Sequence, residues 1–343
     1  MNDSFGYEAP IAFNHIIEQL KDEDKPFPAR DLYRFSGLES QDLEAFKIAW
    51  HSLSLRRKTA LLEDLELIAE GDTVLNFEPI ASIAMDEEDD ALRQLALRNL
   101  WQTEDLTYLS RLTTMLREDS SEKVRAQAAQ VLGRYVLLGE LGRIKESDHK
   151  EAEAALFEAM QSEKIDEVRQ RALESLAYSS DGRVAGLIED AYDFGEDDWK
   201  AAALFAMGRT ADARWSPNIL ERLDDPMTEI SREAARAAGE LQLEEAIPTL
   251  LNLVHDEERE VRMAAGWSLS QIGGEIGAEA LEEYLDRAED EDEIDFIEDA
   301  MENLAFNLEL DEMHILDFSE KDLEQLALPE EDQLDEDPPV KPE

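Results

Sequence analysis

Apolar positions recur along the chain with a helical period. Leu92, Val124, Val168, Trp199, Ile230, Val261 and Phe296 each begin a stripe. Four residues after each lies an alanine: Ala96, Ala128, Ala172, Ala203, Ala234, Ala265 and Ala300. Eight residues after each lies another apolar side chain: Leu100, Leu132, Leu176, Met207, Ala238, Leu269 and Leu304. Positions 0, 4 and 8 share one face of a 3.6-residue helix, and the central alanine lets a neighbouring helix come close. The anchors are spaced 32, 44, 31, 31, 31 and 35 residues apart. A second amphipathic stretch precedes each stripe, as in Leu106 to Leu116, Glu151 to Met160, Ser216 to Leu223 and Ala246 to Val254. Each unit is therefore predicted to be two antiparallel helices. A pair of about 31 residues cannot bury both its faces alone, and stacking on its neighbours solves that. The predicted fold class is all-α, an α-solenoid of about seven antiparallel helix pairs.

Polar positions repeat with the same register. Five residues before the anchor lie Glu87, Asp119, Glu163, Asp225, Asp256 and Glu291, with Phe194 as the exception. An acid there meets the free N–H groups and positive dipole end of the helix. One residue after the anchor lie Arg93, Arg125, Arg169, Lys200 and Arg262. The strings Glu122 to Gly133 and Glu260 to Gly273 resemble HEAT repeats, and the short period is similar to the phycobilisome-lyase-like subclass. The resemblance covers Val74 to Phe306. It implies that each base bridges to the acid of an adjoining unit, as a structural charge ladder. Ser231 and Ile297 interrupt the basic series, which predicts looser stacking there.

Three features depart from the repeat. The 44-residue spacing marks an insertion around Leu137 to His149, with Gly139 and Gly142, which reads as an enlarged surface loop. Residues 1–73 predict a helical N-terminal cap of three or four short helices, with Pro26 and Pro28 before Arg30 to Phe35, a helix through Leu43 to Trp50, and a degenerate unit at Leu55 to Leu65. Terminal units are atypical because one face lacks a neighbour. Residues 74–306 form the predicted solenoid, and residues 307–343 an acidic C-terminal tail. That tail predicts a helix near Glu320 to Leu326 and disorder from about residue 329, where proline and acid crowd together.

Charge narrows the function classes. The chain has 84 acidic and 33 basic residues in 343, a net charge of −51. Such a surface repels phosphate backbones and anionic lipid, so neither nucleic acid nor membrane is a predicted partner. A protein partner, with a basic surface, fits better. The acid excess also fits general solubility. The absence of cysteine excludes disulfides, thiolate metal sites and a cysteine nucleophile. The start of the chain lacks an apolar leader, and no run of about 18 apolar residues occurs, so a cytoplasmic location is expected.

No catalytic, cofactor-binding or metal-binding residue is predicted. His15, His51, His149, His255 and His314 are scattered, and each reads as a surface or helix-end residue. Deoxyhypusine hydroxylases are HEAT-like di-iron enzymes that place metal ligands on His-Glu pairs. No His-Glu dipeptide occurs in this chain, so a di-iron oxidoreductase is disfavoured. Gly273, Gly274 and Gly277 follow a helix and lack the lysine–serine ending of a phosphate loop. The acidic runs Asp86 to Asp90 and Glu289 to Glu293 lack calcium-loop spacing.

The remaining signal is a face. Offsets 6 and 10 from each anchor project away from the core stripe and form successive rungs. They place Arg98, Arg134, Arg209 and Arg236 on one surface, with Tyr178, Phe205 and Trp267 beside them. Aromatic and arginine side chains are the usual interface anchors. The predicted site is a concave groove of Tyr178, Phe205, Arg209, Arg236, Trp267 and Gln271, less acidic than the rest of the surface. The alternative for Phe205 and Trp267 is burial between helices. The predicted function is a non-catalytic HEAT-repeat scaffold binding another protein through its concave face. The resemblance also implies a lyase-like or chaperone-like factor handling a tetrapyrrole or a client protein. Mimicry of nucleic acid by the acidic surface is a further alternative.

Overall fold

Alanine at the fourth position of each stripe sets how the helices stack. The computed structural model describes residues 12–312, with side chains to residue 307, and every regular element among them is helical. The expected helix near Glu320 and the tail beyond residue 329 lie outside the described residues, as does His314. The chain opens with α1 (Phe13–Lys21), a 3-10 turn at Ala29–Phe35, α2 (Ser40–Trp50) and the longer α3 (Leu55–Gly71). Seven helix pairs follow. They are α4 (Glu78–Ala84) with α5 (Asp90–Arg98), α6 (Leu109–Glu118) with α7 (Glu122–Glu140), and α8 (Glu146–Ser162) with α9 (Asp166–Leu176). Next come α10 (Arg183–Phe194) with α11 (Asp197–Arg209) and α12 (Ser216–Arg222) with α13 (Thr228–Glu240). The last are α14 (Ile247–Leu253) with α15 (Arg259–Ile272) and α16 (Gly274–Leu285) with α17 (Glu291–Glu312).

The second helices of the pairs pack on one another in chain order, from α5 through α7, α9, α11, α13 and α15 to α17. This α-solenoid has its seam where the stripes predict. All seven fourth-position alanines are buried, as are all seven side chains at the eighth position. Serines inside the seam tie consecutive units together. Ser175 Oγ donates to the Ala129 carbonyl at 2.9 Å, and Ser268 Oγ donates to the Ala235 carbonyl at 2.7 Å. Both serines lie seven residues after their anchor, and both carbonyls five after theirs. A buried hydroxyl with a partner avoids the desolvation penalty that an orphan would carry. The N-terminal segment is built differently, on a chain of aromatic rings. Phe13, Phe27 and Phe46 each pack on Phe35, and Trp50 packs on Phe46, with centroid separations of 5.6–5.8 Å.

The charge ladder is present at three of its five predicted bases. Arg93 reaches Asp119, Arg125 reaches Glu163, and Arg262 reaches Glu293, at 2.8, 2.8 and 2.7 Å. Each of these arginines also donates to main-chain carbonyls in the turn before its own helix. Lys58 extends the ladder one unit back, to Glu87 at 2.8 Å. Arg169 and Lys200 depart from it. For Arg169 the repeat offers Phe194 in place of an acid; it pairs with Asp166 of its own helix at 3.0 Å, and its guanidinium lies 4.9 Å from the Trp199 ring centroid. Lys200 turns back to Asp197 within its own helix.

Three local expectations are corrected. The insertion is not an enlarged loop: its residues lengthen α7 and α8, leaving only a short turn between Glu140 and Glu146. The last unit is shifted: Ile297 is fully buried while Phe296 is half-buried, and the ladder acid is Glu293 rather than Glu291. Stacking at the two interruptions is closed. Ser231 is buried, with its hydroxyl donating to the Leu223 carbonyl at 2.6 Å, and Ile297 lies in the core.

Candidate functional site

A groove of about 1340 Å³ runs across the second helices. Its walls come from α7, α9, α11, α13 and the first turn of α15, plus Thr73, Trp101 and Gln102 at one end. Helical geometry explains why these elements form one surface. The seam consumes offsets 0, 4 and 8, so offsets 3, 6 and 10 of successive units face the same side. In α7 these are Gln127, Gln130 and Arg134; in α9, Arg171, Glu174 and, just past the helix, Tyr178; in α11, Ala202, Phe205 and Arg209; in α13, Glu233 and Arg236.

Tyr178, Phe205, Arg209 and Arg236 come together in the groove. The Arg209 guanidinium lies near two rings, 5.7 Å from the Tyr178 centroid and 5.1 Å from that of Phe205. Arg236 joins the cluster, 5.6 Å from the Phe205 centroid. A guanidinium near a ring is attracted by the ring quadrupole, and the contact also restricts both side chains. Phe205 is half-buried, so its ring both packs and remains available. Trp267 and Gln271 do not line this groove. Trp267 is half-buried and set against Gly239, where a Cβ would come within 2.8 Å of its Cζ3. Gln271 is half-buried too, its amide nitrogen donating to Ser270 Oγ at 3.3 Å.

The scarce positive charge of the face is largely neutralised within the chain. Arg98 pairs with Glu66, Arg134 with Glu104, Arg209 with Glu240 and Arg236 with Glu233. Five arginines and six carboxylates line the groove, against 33 bases and 84 acids in the whole chain. It is thus close to neutral in a strongly acidic molecule. Burial pushes the Glu174 carboxyl above its ordinary value, against the opposing pull of Arg171. Burial likewise pushes Glu240 up, against Arg209 and Arg236.

The groove has a second feature that the predicted residues do not include. Glu167, Asp198, Glu229 and Glu260 each stand one residue before their anchor, in four successive units, and all are exposed. They form a row of carboxylates along the first turns of α9, α11, α13 and α15, and Glu260 pairs with Arg232 at 2.5 Å. Arg171 and Arg232 also line the groove and were not predicted. The signal for them was offset 3 and its neighbour offset 2, which share the exposed side.

The sequence description of HEAT repeats matches residues 77–177 and 216–300. No curated protein matches the chain. Among solved structures, the chain is similar to the complex of CpcE and CpcF of phycocyanin lyase from Nostoc sp. PCC7120, at 20% identity over 66% of this chain and 94% of that one, with a TM-score of 0.43. It is also similar to human deoxyhypusine hydroxylase in complex with glycerol, at 18% identity over 87% and 96% of the two chains, with a TM-score of 0.35. Among the described residues no helix is long and apolar enough to cross a membrane.

Proposed function

We propose that this chain, which belongs to the HEAT-repeat family, is a non-catalytic scaffold that holds another protein in the groove of its second helices. One observation carries the reading. Two aromatic rings and two guanidinium groups from three successive units converge on a near-neutral wall of a chain with net charge −51. Arginine and aromatic groups in a concave, partly desolvated setting are what interface hot spots are made of. The row Glu167, Asp198, Glu229 and Glu260 adds complementarity to a partner carrying basic groups, and the chain's overall field steers such a partner inward. Trp267 and Gln271, on the next rung, extend the proposed surface beyond the cavity. Residues 1–73 serve in this reading as the cap that closes the solenoid's first face, with residues 74–306 as the binding array.

The test is capture of interacting proteins by the tagged full chain from a native extract, with Phe205→Ala and Arg236→Ala as controls. A partner retained by the wild-type chain and lost by both variants, with their helical circular dichroism unchanged, supports the reading. A partner retained equally by all three removes it.

A further inference from the structure

We propose that Glu140, His149 and Glu153 form a binding site for one divalent transition-metal ion, best suited to Zn²⁺. The three residues lie outside the groove lining, where the lengthened ends of α7 and α8 meet. His149 and Glu153 are four residues apart on α8, so they share one side of that helix. Glu140 is the last residue of α7. One ligand-capable atom from each of the three lies within 4.8 Å of the others.

The imidazole stands near both carboxylates but beyond hydrogen-bond distance of either. His149 Nε2 stands 3.7 Å from Glu140 Oε1 and 3.6 Å from Glu153 Oε1. Charge-assisted hydrogen bonds would draw these atoms to about 2.7–2.9 Å. Two ligands each about 2.1 Å from a metal, at an angle of about 110–120°, stand about 3.4–3.6 Å apart. The Glu153 separation falls at the upper edge of that range, and the Glu140 separation lies 0.1 Å beyond it. Nε2 is itself buried and has no hydrogen-bond partner. A buried polar atom without a partner calls for one.

The surroundings hold the ligands in place. Ser180 N–H donates to Glu140 Oε1 at 2.8 Å, and Ser180 Oγ donates to the same oxygen at 3.1 Å. Ser179 Oγ donates to Glu153 Oε1. These donors come from the turn after α9, so three elements converge on the cluster. Outer hydrogen bonds of this kind orient carboxylate ligands in metal sites. Gly139 completes the fit. A Cβ there would stand 2.1 Å from His149 Cγ, so only glycine lets the imidazole lie against α7. One imidazole and two carboxylates suit Zn²⁺ better than the all-oxygen preference of Mg²⁺ or Ca²⁺. Three protein ligands leave a fourth position for water. Because the cluster joins α7 to α8 and to the turn beside Tyr178, a bound ion would brace one end of the groove.

The experiment is titration of the metal-stripped full chain with Zn²⁺ in excess Mg²⁺, which saturates the diffuse acidic surface. Calorimetry gives the stoichiometry, and Co²⁺ substitution gives the visible absorption of a low-coordinate site. His149→Ala and Glu153→Gln are the variants, the second keeping the size and helix preference of the original residue. One Zn²⁺ per chain, with affinity at least tenfold weaker in Glu153→Gln and a rise in melting temperature lost in both variants, supports the site. Zn²⁺ uptake that Mg²⁺ abolishes, or that is the same in wild type and Glu153→Gln, overturns it. In that case His149 is only a packed imidazole between two carboxylates.

Discussion

Arg93 and Asp119 are joined by two parallel hydrogen bonds, Nε to Oδ2 and Nη2 to Oδ1, each 2.8 Å long. The pair links α5 to the turn before α7, and both side chains are mostly buried. A bidentate pair in this setting is geometrically specific. Breaking it leaves the surviving carboxylate poorly solvated. Arg93→Ala is expected to cost about 2–4 kcal/mol, more than removal of an exposed pair. Lys21→Ala, which breaks the surface pair with Glu18, is expected to change stability by less than about 1 kcal/mol. Urea denaturation of the two variants checks the contrast.

The ladder also predicts an acid limb. Hydrogen bonds from Arg125 hold the Glu163 carboxyl below its ordinary value of 4.5, with main-chain N–H donors of Lys164 and Ile165 adding to the effect. A carboxylate with a depressed pKa contributes stability that is complete above pH 4.5 and lost as pH falls through the lower, folded value. Glu163→Gln is expected to lower the melting temperature at pH 7 and to converge with the wild type as pH falls from 4.5 through the lower, folded value. Thermal scans at a series of pH values read this directly.

Glu174 predicts the opposite sign. Burial raises its carboxyl above 4.5, so the folded state is penalised by the charge at neutral pH. The stability associated with its protonated form is complete below pH 4.5 and lost as pH rises through the folded value. Glu174→Gln removes that penalty, and a melting temperature at pH 7 equal to or above that of the wild type is expected. A clear drop at pH 7 would mean that the Arg171 contact outweighs burial.

Close packing of the seam is tested at Gly239. A Cβ there would stand 2.8 Å from the Ser268 Cα and 2.6 Å from its Oγ, and the Ser268 backbone cannot move without shifting α15. Gly239→Ala is expected to cost about 1–3 kcal/mol even though alanine favours helix. Equilibrium denaturation provides the measurement.

The repeat was legible because a strict stripe leaves only one way to stack. Alanine at position 4 in every unit fixed which helices touch. The last unit was misread by one residue because Phe296 and Ile297 are both apolar and adjacent, so period alone cannot choose between them. The insertion was misread because Gly139 and Gly142 resemble loop punctuation. Gly142 does adopt a positive φ of 67° in the turn, but Gly139 lies inside α7, making room for His149. His149 does lie near a helix end, in the first turn of α8, and its half-burial against Glu140 is not legible because that residue comes from another helix. Of the groove, offsets 6 and 10 placed Tyr178, Phe205, Arg209 and Arg236. The row of acids at offset −1 was hidden by the general excess of acid, since a carboxylate carries little information in so acidic a chain.

Hydrogen exchange of the complex with the captured partner tests the central reading most directly. The groove account predicts slower exchange in the exposed turns and surfaces of α9, α11 and α13, with α10 and α12 unchanged. Protection confined to α10 and α12, or to the helices before Phe77, would contradict it.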